Sequence, residues 1–486
     1  MEEYMIRVRY APSPTGEIHV GNARTALFNY LFARHNKGTF ILRLDDTDKK
    51  RSTDQAIRSM VEDITWFGID WDEGYLKGGD YGPYSQSERM DLYNHYTDIL
   101  LKEGSAYELH YTDEEIKNIK EQYEKSMKTF SYRKVKELEG EARVREFKEK
   151  GLTPAVVFKV LEDKEIVVDD IVRGDVHFNS NEFKDFVIRR SNGIPVYNYA
   201  TVIDDALMNI THVIRAEEHL SNTPKQILIF DALKFPHPYF AHISLIFAPD
   251  RTKLSKRHGA TSIGDFRRMG FLPEAMFNFL ALLGWSPKDG REFFTKEELI
   301  ELFTLESVNK APAIFDISKL KWMNHKYIVE LGKEILCTLA MPYLKEAYPD
   351  IKCDEKTLLL VDTLRGNMNV LPDIVKLSEP FLTGLGFPEG EEEKNILFDK
   401  DSIKVFKYIL ENIENIEFKE QKINEFLDGL KEKLGLSGKK IYHPLRVALF
   451  GSKSGPELWK IFILLGKEEV VQRIKFVLEQ IKKTSN

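Results

Sequence analysis

The stretch RYAPSPTGEIHVGN, residues 9–22, constrains this chain more than any other. Ahead of it, Ile6-Arg7-Val8-Arg9-Tyr10 alternates apolar and charged residues as a strand does. Behind it, Ala23, Ala26, Leu27, Tyr30 and Leu31 recur at helical spacing, which predicts a helix from about Gly21 to Asn36. With a second strand predicted at Phe40–Leu44, the segment reads as a βαβ unit, hence parallel strands in a wound sheet. A strand-to-helix connection usually needs only a few residues. This one is longer and holds two prolines, two glycines and a histidine. Ligands of open α/β sheets bind beyond the carboxyl ends of the strands, where a helix N-terminus offers amides and a positive dipole to a phosphate. Gly16 and Gly21 let the backbone come close to such a ligand, and His19 can donate to a phosphate oxygen. On this stretch alone, a plain turn shaped by Pro and Gly, with His19 on the surface, stays open.

A second loaded stretch, DRTKLSKRHG at 250–259, sets Lys253, Lys256 and Arg257 around Ser255 with Gly259 following. Such a loop suits a triphosphate, concentrating charge where pyrophosphate leaves; taken singly it also reads as solvated surface. A chain of 486 residues exceeds one ordinary core, so several domains are expected. Its 42% hydrophobic and 30% charged content is that of a soluble globular protein, and no apolar run reaches membrane-spanning length. The N-terminus lacks signal- or transit-peptide character, and Cys337 and Cys353, the two cysteines, imply no disulfide framework. A cytoplasmic location is therefore expected. A net charge of -7 disfavours a generic nucleic-acid coat but leaves room for one RNA partner on a local basic face.

A second helix is predicted at about Thr53–Phe67, and residues 111–150 read as Lys/Glu-rich surface helices. Short strands follow at 156–160, 165–172 and 185–190, giving an insertion after which the sheet resumes at Tyr197. A helix near Thr223–Leu233 and a strand near Ile243–Phe247 come next, and helical patterning dominates from about Thr261. PEGEEEKN (388–395) reads as a solvated loop between helical subdomains.

HVGN and KLSKR, in this order, resemble the two signature motifs of class I aminoacyl-tRNA synthetases, although Asn22 stands where a second His is usual. ILRLDDTDKKRS, WFGIDWDEG, GPYSQSERMDLY, GIPVYNYATVIDDALMNITHVIRAEEHLSNTPKQ and the C-terminal HPLRVALFGSKSGPELWKIFILLG are similar to the glutamyl branch, bacterial type, nearly end to end. That resemblance implies an α/β fold: a Rossmann-type parallel-sheet catalytic domain with an inserted α+β domain, then all-α anticodon-binding domains. Its parts would be catalytic halves at 1–105 and 191–250, an acceptor-binding insertion at 106–190, a stem-contact domain at 251–328, and helical anticodon subdomains at 329–390 and 391–486.

It also implies ATP-dependent attachment of L-glutamate to tRNA-Glu through glutamyl-adenylate, without a protein nucleophile. His19, Lys253, Ser255 and Lys256 would be the catalytic set. Gly16, His19, Gly21, Asn22, Glu218 and Lys256 would bind ATP. Arg9, Ala11, Ser13, Asp45, Tyr197, Thr201 and Arg215 would bind glutamate; Arg9 matches the arginine that pairs with the side-chain carboxylate and Arg215 would hold the other, although the sequence leaves open which arginine takes which end. Asp45 stands where many members carry Glu, so its contact to the substrate ammonium would be indirect, and Thr201 stands where some carry Asn. Magnesium would arrive with ATP. No structural zinc is expected, because AYELHY (106–111) lacks the Cys-x-Cys of some members; His110 and Glu108 read instead as a surface pair. In DTLRGNMNVLPD (362–373), Asn367 takes the place of an anticodon-reading arginine and Arg365 lies two residues earlier. An asparagine discriminates less sharply than a guanidinium fork, so a form that also charges tRNA-Gln is the alternative. The expected partners are thus tRNA and glutamate, with no membrane and no DNA, acting on a monomer. A small-molecule nucleotidyltransferase and a catalytically dead tRNA binder are the rivals; the helical C-terminal body disfavours the first, and intact His19, Lys253, Ser255 and Lys256 the second.

Overall fold

Strand β1 (Arg7–Tyr10) buries Val8, Arg9 and Tyr10, and helix α1 (Val20–His35) is buried on nearly every side. His19 and Asn36 cap that helix, so its limits lie within a residue of those predicted. The structure, a computed structural model, describes residues 5–47 and 53–485, the side chains of Lys256 and Ser485 excepted. Two units separate by their internal packing: Met1–Arg268 with Pro273–Leu320, and Met269–Leu272 with Lys321–Asn486.

In the first unit, α1 leads to β2 (Thr39–Leu42), α2 (Asp54–Trp66, capped by the Thr53 hydroxyl) and β3 (Glu73–Gly74). Strands β1, β2 and β3 pair in parallel. After α3 (Met90–Lys102), an antiparallel trio forms from β4 (Ala106–Leu109), β5 (Ala155–Phe158) and a later strand, Phe186–Arg189. Three helices at Asp113–Lys125, Tyr132–Glu137 and Glu141–Glu149 come between β4 and β5. Strands β6 (Glu165–Asp170) and β7 (Gly174–Asn179) pair antiparallel with each other. Beyond them lie α4 (Tyr197–Leu207), β8 (His212–Ala216), α5 (Thr223–Leu233) and β9 (Tyr239–Ile243).

Strand β9 pairs in parallel with β8 on one side and with β6 on the other. Strand 165–170 therefore joins the sheet of β8 and β9, although it was expected to lie within the insertion. The Thr211 N–H donates to the Arg7 carbonyl at 2.9 Å, which sets the N-terminal ends of β1 and β8 side by side. From β1 the sheet grows toward β2, and from β8 it grows toward β9, so the strand order reverses between them. The carboxyl ends at such a reversal are where an open α/β sheet makes its ligand crevice.

Two local expectations are corrected. Tyr197, where the sheet was expected to resume, opens a helix, and the next strand begins only at His212: apolar and polar residues of YNYATVIDDAL fall on helical faces, and seven of them are buried. The strand predicted at Ile243–Phe247 lies earlier, at Tyr239–Ile243, with only Ile246–Phe247 extended beyond it.

The second unit is helical from Lys333 to Ser485, with no strand among its described residues. Helices Lys400–Asn412, Glu420–Leu434, Gly438–Phe450 and Lys467–Ser485 bury Phe406, Ile409, Leu427, Leu445 and Ile474 in one core with Phe462. The acidic stretch expected as a loop begins a helix, Glu391–Phe398, with Glu391, Glu392 and Glu393 in its first turn. Carboxylates there are stabilised by the exposed amides and dipole of the helix start. Among the described residues no helix is long and apolar enough to cross a membrane.

Candidate active site

His19 is the N-cap of α1, and its Nδ1 accepts the Gly21 amide at 3.1 Å. That bond leaves Nε2 as the protonated nitrogen of a neutral ring. Burial first, and Lys253 second, hold the imidazole below its usual value, so it stays neutral at neutral pH. The turn is pinned to the segment after the basic loop: Val20 N–H donates to the Thr261 carbonyl at 2.9 Å and Ile263 N–H to Ile18 at 2.8 Å. Glu17 completes the clasp, accepting from Arg268 at 2.6 Å and from the Ser262 hydroxyl at 2.5 Å. Two stretches some 230 residues apart in the chain thus wall one cavity of about 420 Å³, lined by His19, Gly21, Asn22, Arg24, Glu218 and Lys253 among others.

Lys253 Nζ pairs with Glu218 at 2.5 Å across that cavity, and Lys253 holds the Glu218 carboxyl below the ordinary range. The Ser255 amide donates to His258 Nδ1 at 3.1 Å, which shapes the loop. Lys256 opens a short 3-10 turn, Lys256–His258; its side chain lies outside the described residues. Asn22 is exposed in the first turn of α1. Gly16 has φ of +130°, where an L side chain is strained.

Beside this cavity, at the ends of β1 and β8, lies a dense set of buried charges. Arg9 presents Nε and Nη2 to Asp205 at 3.0 and 3.1 Å. Arg43, sealed from solvent, bonds Asp45 at 2.8 Å and Asp205 at 2.7 Å. Arg89 donates to Asp204 at 2.7 Å, with Gln86 and Tyr93 also on that carboxylate. Desolvation pushes Asp45 up to about 6 against the pull of Arg43. The three arginines and three aspartates balance, as buried charges must.

Arg215, on β8, is different. It is 5% exposed and has no carboxylate partner among the described residues. Its Nε donates to His242 Nε2 at 3.1 Å, and its Nη2 to the Thr223 hydroxyl at 2.9 Å and Gln226 Oε1 at 2.7 Å. Its Nη1 is buried without a partner, and so is the Thr201 hydroxyl. Burial depresses the Arg215 pKa, with Tyr197, Arg9 and Asp205 near enough to act on its charge. A buried cation with a donor to spare is the feature an anionic ligand completes.

Tyr197, Thr201 and Asp205 follow at i, i+4 and i+8 along α4, which puts them on one face. Tyr197 is 40% exposed at the rim, its hydroxyl 3.3 Å from His219 Nδ1. Ala11 is half-buried just past β1, Ser13 is exposed, and the intervening Pro12 carbonyl accepts the Asp45 amide at 3.0 Å. Of the residues expected to bind glutamate, Arg9 and Asp45 are thus engaged within the protein, whereas Arg215 and Thr201 keep unused donors. Sequence reasoning missed Arg43, Asp204, Asp205, Arg89, His219, His242 and Gln226. Charged residues inside the apolar runs ILRL and VIDDAL were the available signal, since a charge there needs a buried partner.

His110 keeps the expected partner, its Nε2 lying 3.6 Å from the Glu108 carboxylate, but not the expected surface position. It is 3% exposed; its amide and Nδ1 reach Glu139 at 2.6 and 3.2 Å, and its ring meets Phe147 edge-on. The helices at 132–149 cover it. Among the described residues no group of three or more His, Cys, Asp or Glu is arranged to hold a metal. In the second unit, Arg365 donates to the Leu331 carbonyl at 2.9 Å and pairs with Asp362 at 3.2 Å, while Asn367 is exposed in the turn after helix Glu355–Leu364.

Comparison with known proteins matches residues 5–322 to the family described as "tRNA synthetases class I (E and Q), catalytic domain" and residues 335–478 to "Anticodon binding domain". The chain is similar to the glutamate–tRNA ligase of Carboxydothermus hydrogenoformans, 45% identical over 97% of this chain and 99% of that protein. It is also 45% identical to that of a Sulfurihydrogenibium species, over 98% of this chain and 99% of that protein. A crystal structure of a glutamate tRNA ligase from Elizabethkingia meningosepticum, in complex with its amino acid, superposes with a TM-score of 0.89 at 35% identity, covering 98% of this chain and 99% of that one.

Proposed function

The chain belongs to the class I tRNA synthetases of the glutamate and glutamine type, its activity is ligation of glutamate to tRNA with ATP, and we propose which of its residues carry each step. Glutamate lies across the ends of β1 and β8 with its side-chain carboxylate on Arg215, assisted by Tyr197 and Thr201. The α-carboxylate is the nucleophile, and a buried guanidinium on it would weaken its attack; hence Arg215 takes the other end. Arg9, steadied by Asp205, borders the same carboxylate. Asp45, held by Arg43, reaches the substrate ammonium through water. Ala11 and Ser13 line the approach by backbone and hydroxyl.

ATP occupies the cavity at the start of α1, where Gly16, Gly21 and Asn22 let the phosphates approach the helix amides and Glu218 lies by the nucleotide. An oxygen of the glutamate α-carboxylate bonds to the α-phosphorus, the bond to the β-phosphate oxygen breaks, and pyrophosphate leaves. His19, donating from Nε2, with Lys253 and Lys256, stabilises the charge that develops; Ser255 shapes the loop that carries them. The terminal ribose hydroxyl of tRNA then takes the acyl group and AMP departs. Magnesium arrives with the ATP phosphates. The finer domain partition, a cytoplasmic monomer and tRNA-Glu as the RNA belong to the same proposal. Charging of tRNA-Gln as well is favoured by Asn367, exposed and lacking a guanidinium fork.

The observation that carries the proposal is the buried Arg215 guanidinium with a donor to spare and no carboxylate. ATP–pyrophosphate exchange with glutamate tests it. Exchange is expected once tRNA is present and silent before, because the acceptor end brings the substrates into a productive pose. No glutamate-dependent exchange under either condition would overturn it; robust exchange without tRNA would remove the gate alone.

A further inference from the structure

Arg215 and His242 are direct cross-strand partners on β8 and β9, and β9 pairs through Phe240 with Asp170 at the end of β6. Three strands therefore present Asp170, His242 and Arg215 side by side. Asp170 Oδ2 lies 2.5 Å from His242 Nδ1 and also accepts the His242 backbone amide at 3.0 Å. Both side chains are sealed from solvent. A carboxylate at Nδ1 fixes the proton there, which makes Nε2 an acceptor. Nε2 in turn faces Arg215 Nε at 3.1 Å. The Phe240 ring stacks on the imidazole and lies under the Arg215 guanidinium at 5.8 Å, closing the set from one side.

We infer that Asp170 and His242 are positioning residues for the amino-acid substrate: the pair holds Arg215 with Nη1 turned to the substrate carboxylate. The inference rests on the proposed role of Arg215 and extends it. A guanidinium offers five N–H donors in a rigid fork, so fixing the Nε edge fixes the direction of the others. Thr223 and Gln226 bind Nη2, His242 binds Nε, and Nη1 alone remains. A protonated His242 would offer no acceptor and would set a like charge against Arg215. Burial and Arg215 keep the imidazole below its ordinary pKa despite Asp170, consistent with a neutral acceptor.

The anchor continues past the strand. Asp170 Oδ1 accepts the amides of Val172 and Arg173 at 3.0 and 2.8 Å. Arg173 donates to the His242 carbonyl at 3.1 Å and pairs with Glu217, whose other oxygen accepts the Leu245 amide at 2.9 Å. Segment 165–173, read from the sequence as part of an insertion, is thereby tied to the wall of the amino-acid pocket.

Steady-state aminoacylation of tRNA by the full chain, varying glutamate and ATP separately, tests the inference. Asp170→Asn, which keeps the shape but frees the choice of tautomer, and His242→Leu, which removes the acceptor, should each raise the KM for glutamate about tenfold or more, the usual cost of losing a hydrogen bond to a charged group. The KM for ATP should move by less than about twofold. His242→Gln, which restores an acceptor near Nε2, should recover much of the loss. Glu165→Gln, exposed at the start of β6, should change neither constant. If His242→Leu does not fold, Asp170→Asn and His242→Gln carry the comparison. Unchanged glutamate KM in Asp170→Asn, or glutamate and ATP constants rising together with a lowered Tm, would overturn the inference. Arg215→Ala separates the two levels: if it leaves the glutamate KM unchanged, the proposed site falls and the inference with it. If it raises that KM while the Asp170 and His242 variants stay silent, the inference falls alone.

Discussion

Arg215 and His19 carry the proposed chemistry on nitrogens whose partners the sequence does not reveal beyond a place in a motif. Arg215 commits Nε and Nη2 to the protein and leaves Nη1 without a partner among the described residues, while His19 commits Nδ1 to the Gly21 amide. His19→Ala removes the donor at Nε2 and, with it, about ten- to thousand-fold of kcat, the range for one transition-state donor; a kcat within error of the parent would exclude that role. His219 gives a prediction on pH. Burial first and Arg215 second push its imidazole down to about 4 from the ordinary 6.5. Between these values the unfolded chain binds more protons than the folded one, so stability rises with pH there. The support from neutral His219 is whole above about pH 6.5 and is lost as pH falls toward 4. The drop in Tm between pH 6.5 and 4 should therefore be smaller in His219→Asn than in the parent, and an equal drop would show that His219 is not the titrating group. Arg9 was legible as a candidate substrate residue only through its motif; its bidentate bond to Asp205 depends on a residue 196 positions away, which no local pattern encodes.

At the level of elements, the βαβ unit was readable because β1 and α1 have opposite hydrophobic periods and distinct caps. The helix at Tyr197 was not, since a short, mostly apolar run fits a buried strand or a buried helix equally. Its eventual conformation matters to the site: as a helix it stacks Tyr197, Thr201 and Asp205 on one face within about 12 Å, whereas a strand would spread the same three over about 26 Å, and the helix turns Asp204 in a second direction. That second direction is used, for Asp204 turns to Arg89 and Tyr93. Strand β6 was assigned to an insertion because its pairing with β9 joins residues 70 apart. Gly74 tests how far the sheet supports the site. It has φ of +127°, and a Cβ there would run into the backbone of Leu42, one residue before Arg43. Gly74→Ala should lower unfolding stability by about 2 kcal/mol or more, measured by denaturant titration. An unshifted midpoint would show that β2 and β3 adjust freely.

For the whole molecule, the end-to-end motif set made the class of enzyme legible, while specificity within it depends on side-chain placement. Protein stripped with a chelator and given back only magnesium should charge tRNA fully; a requirement for stoichiometric zinc would contradict this. With Asn367 exposed and Arg365 engaged by Leu331 and Asp362, charging of tRNA-Gln should fall within about a thousandfold of tRNA-Glu, roughly 4 kcal/mol. A wider gap would return the reading of the third base to a guanidinium, with Arg365 the first to substitute. In the proposed site, a buried Arg215 with no carboxylate partner among the described residues selects a substrate with a second carboxylate. The direct measurement is kcat/KM for glutamate against glutamine in charging purified tRNA-Glu. A carboxamide returns no charge to the guanidinium and leaves it under-satisfied, so glutamate should be preferred by about a thousandfold or more. Glutamine accepted within about tenfold of glutamate would contradict that role for Arg215.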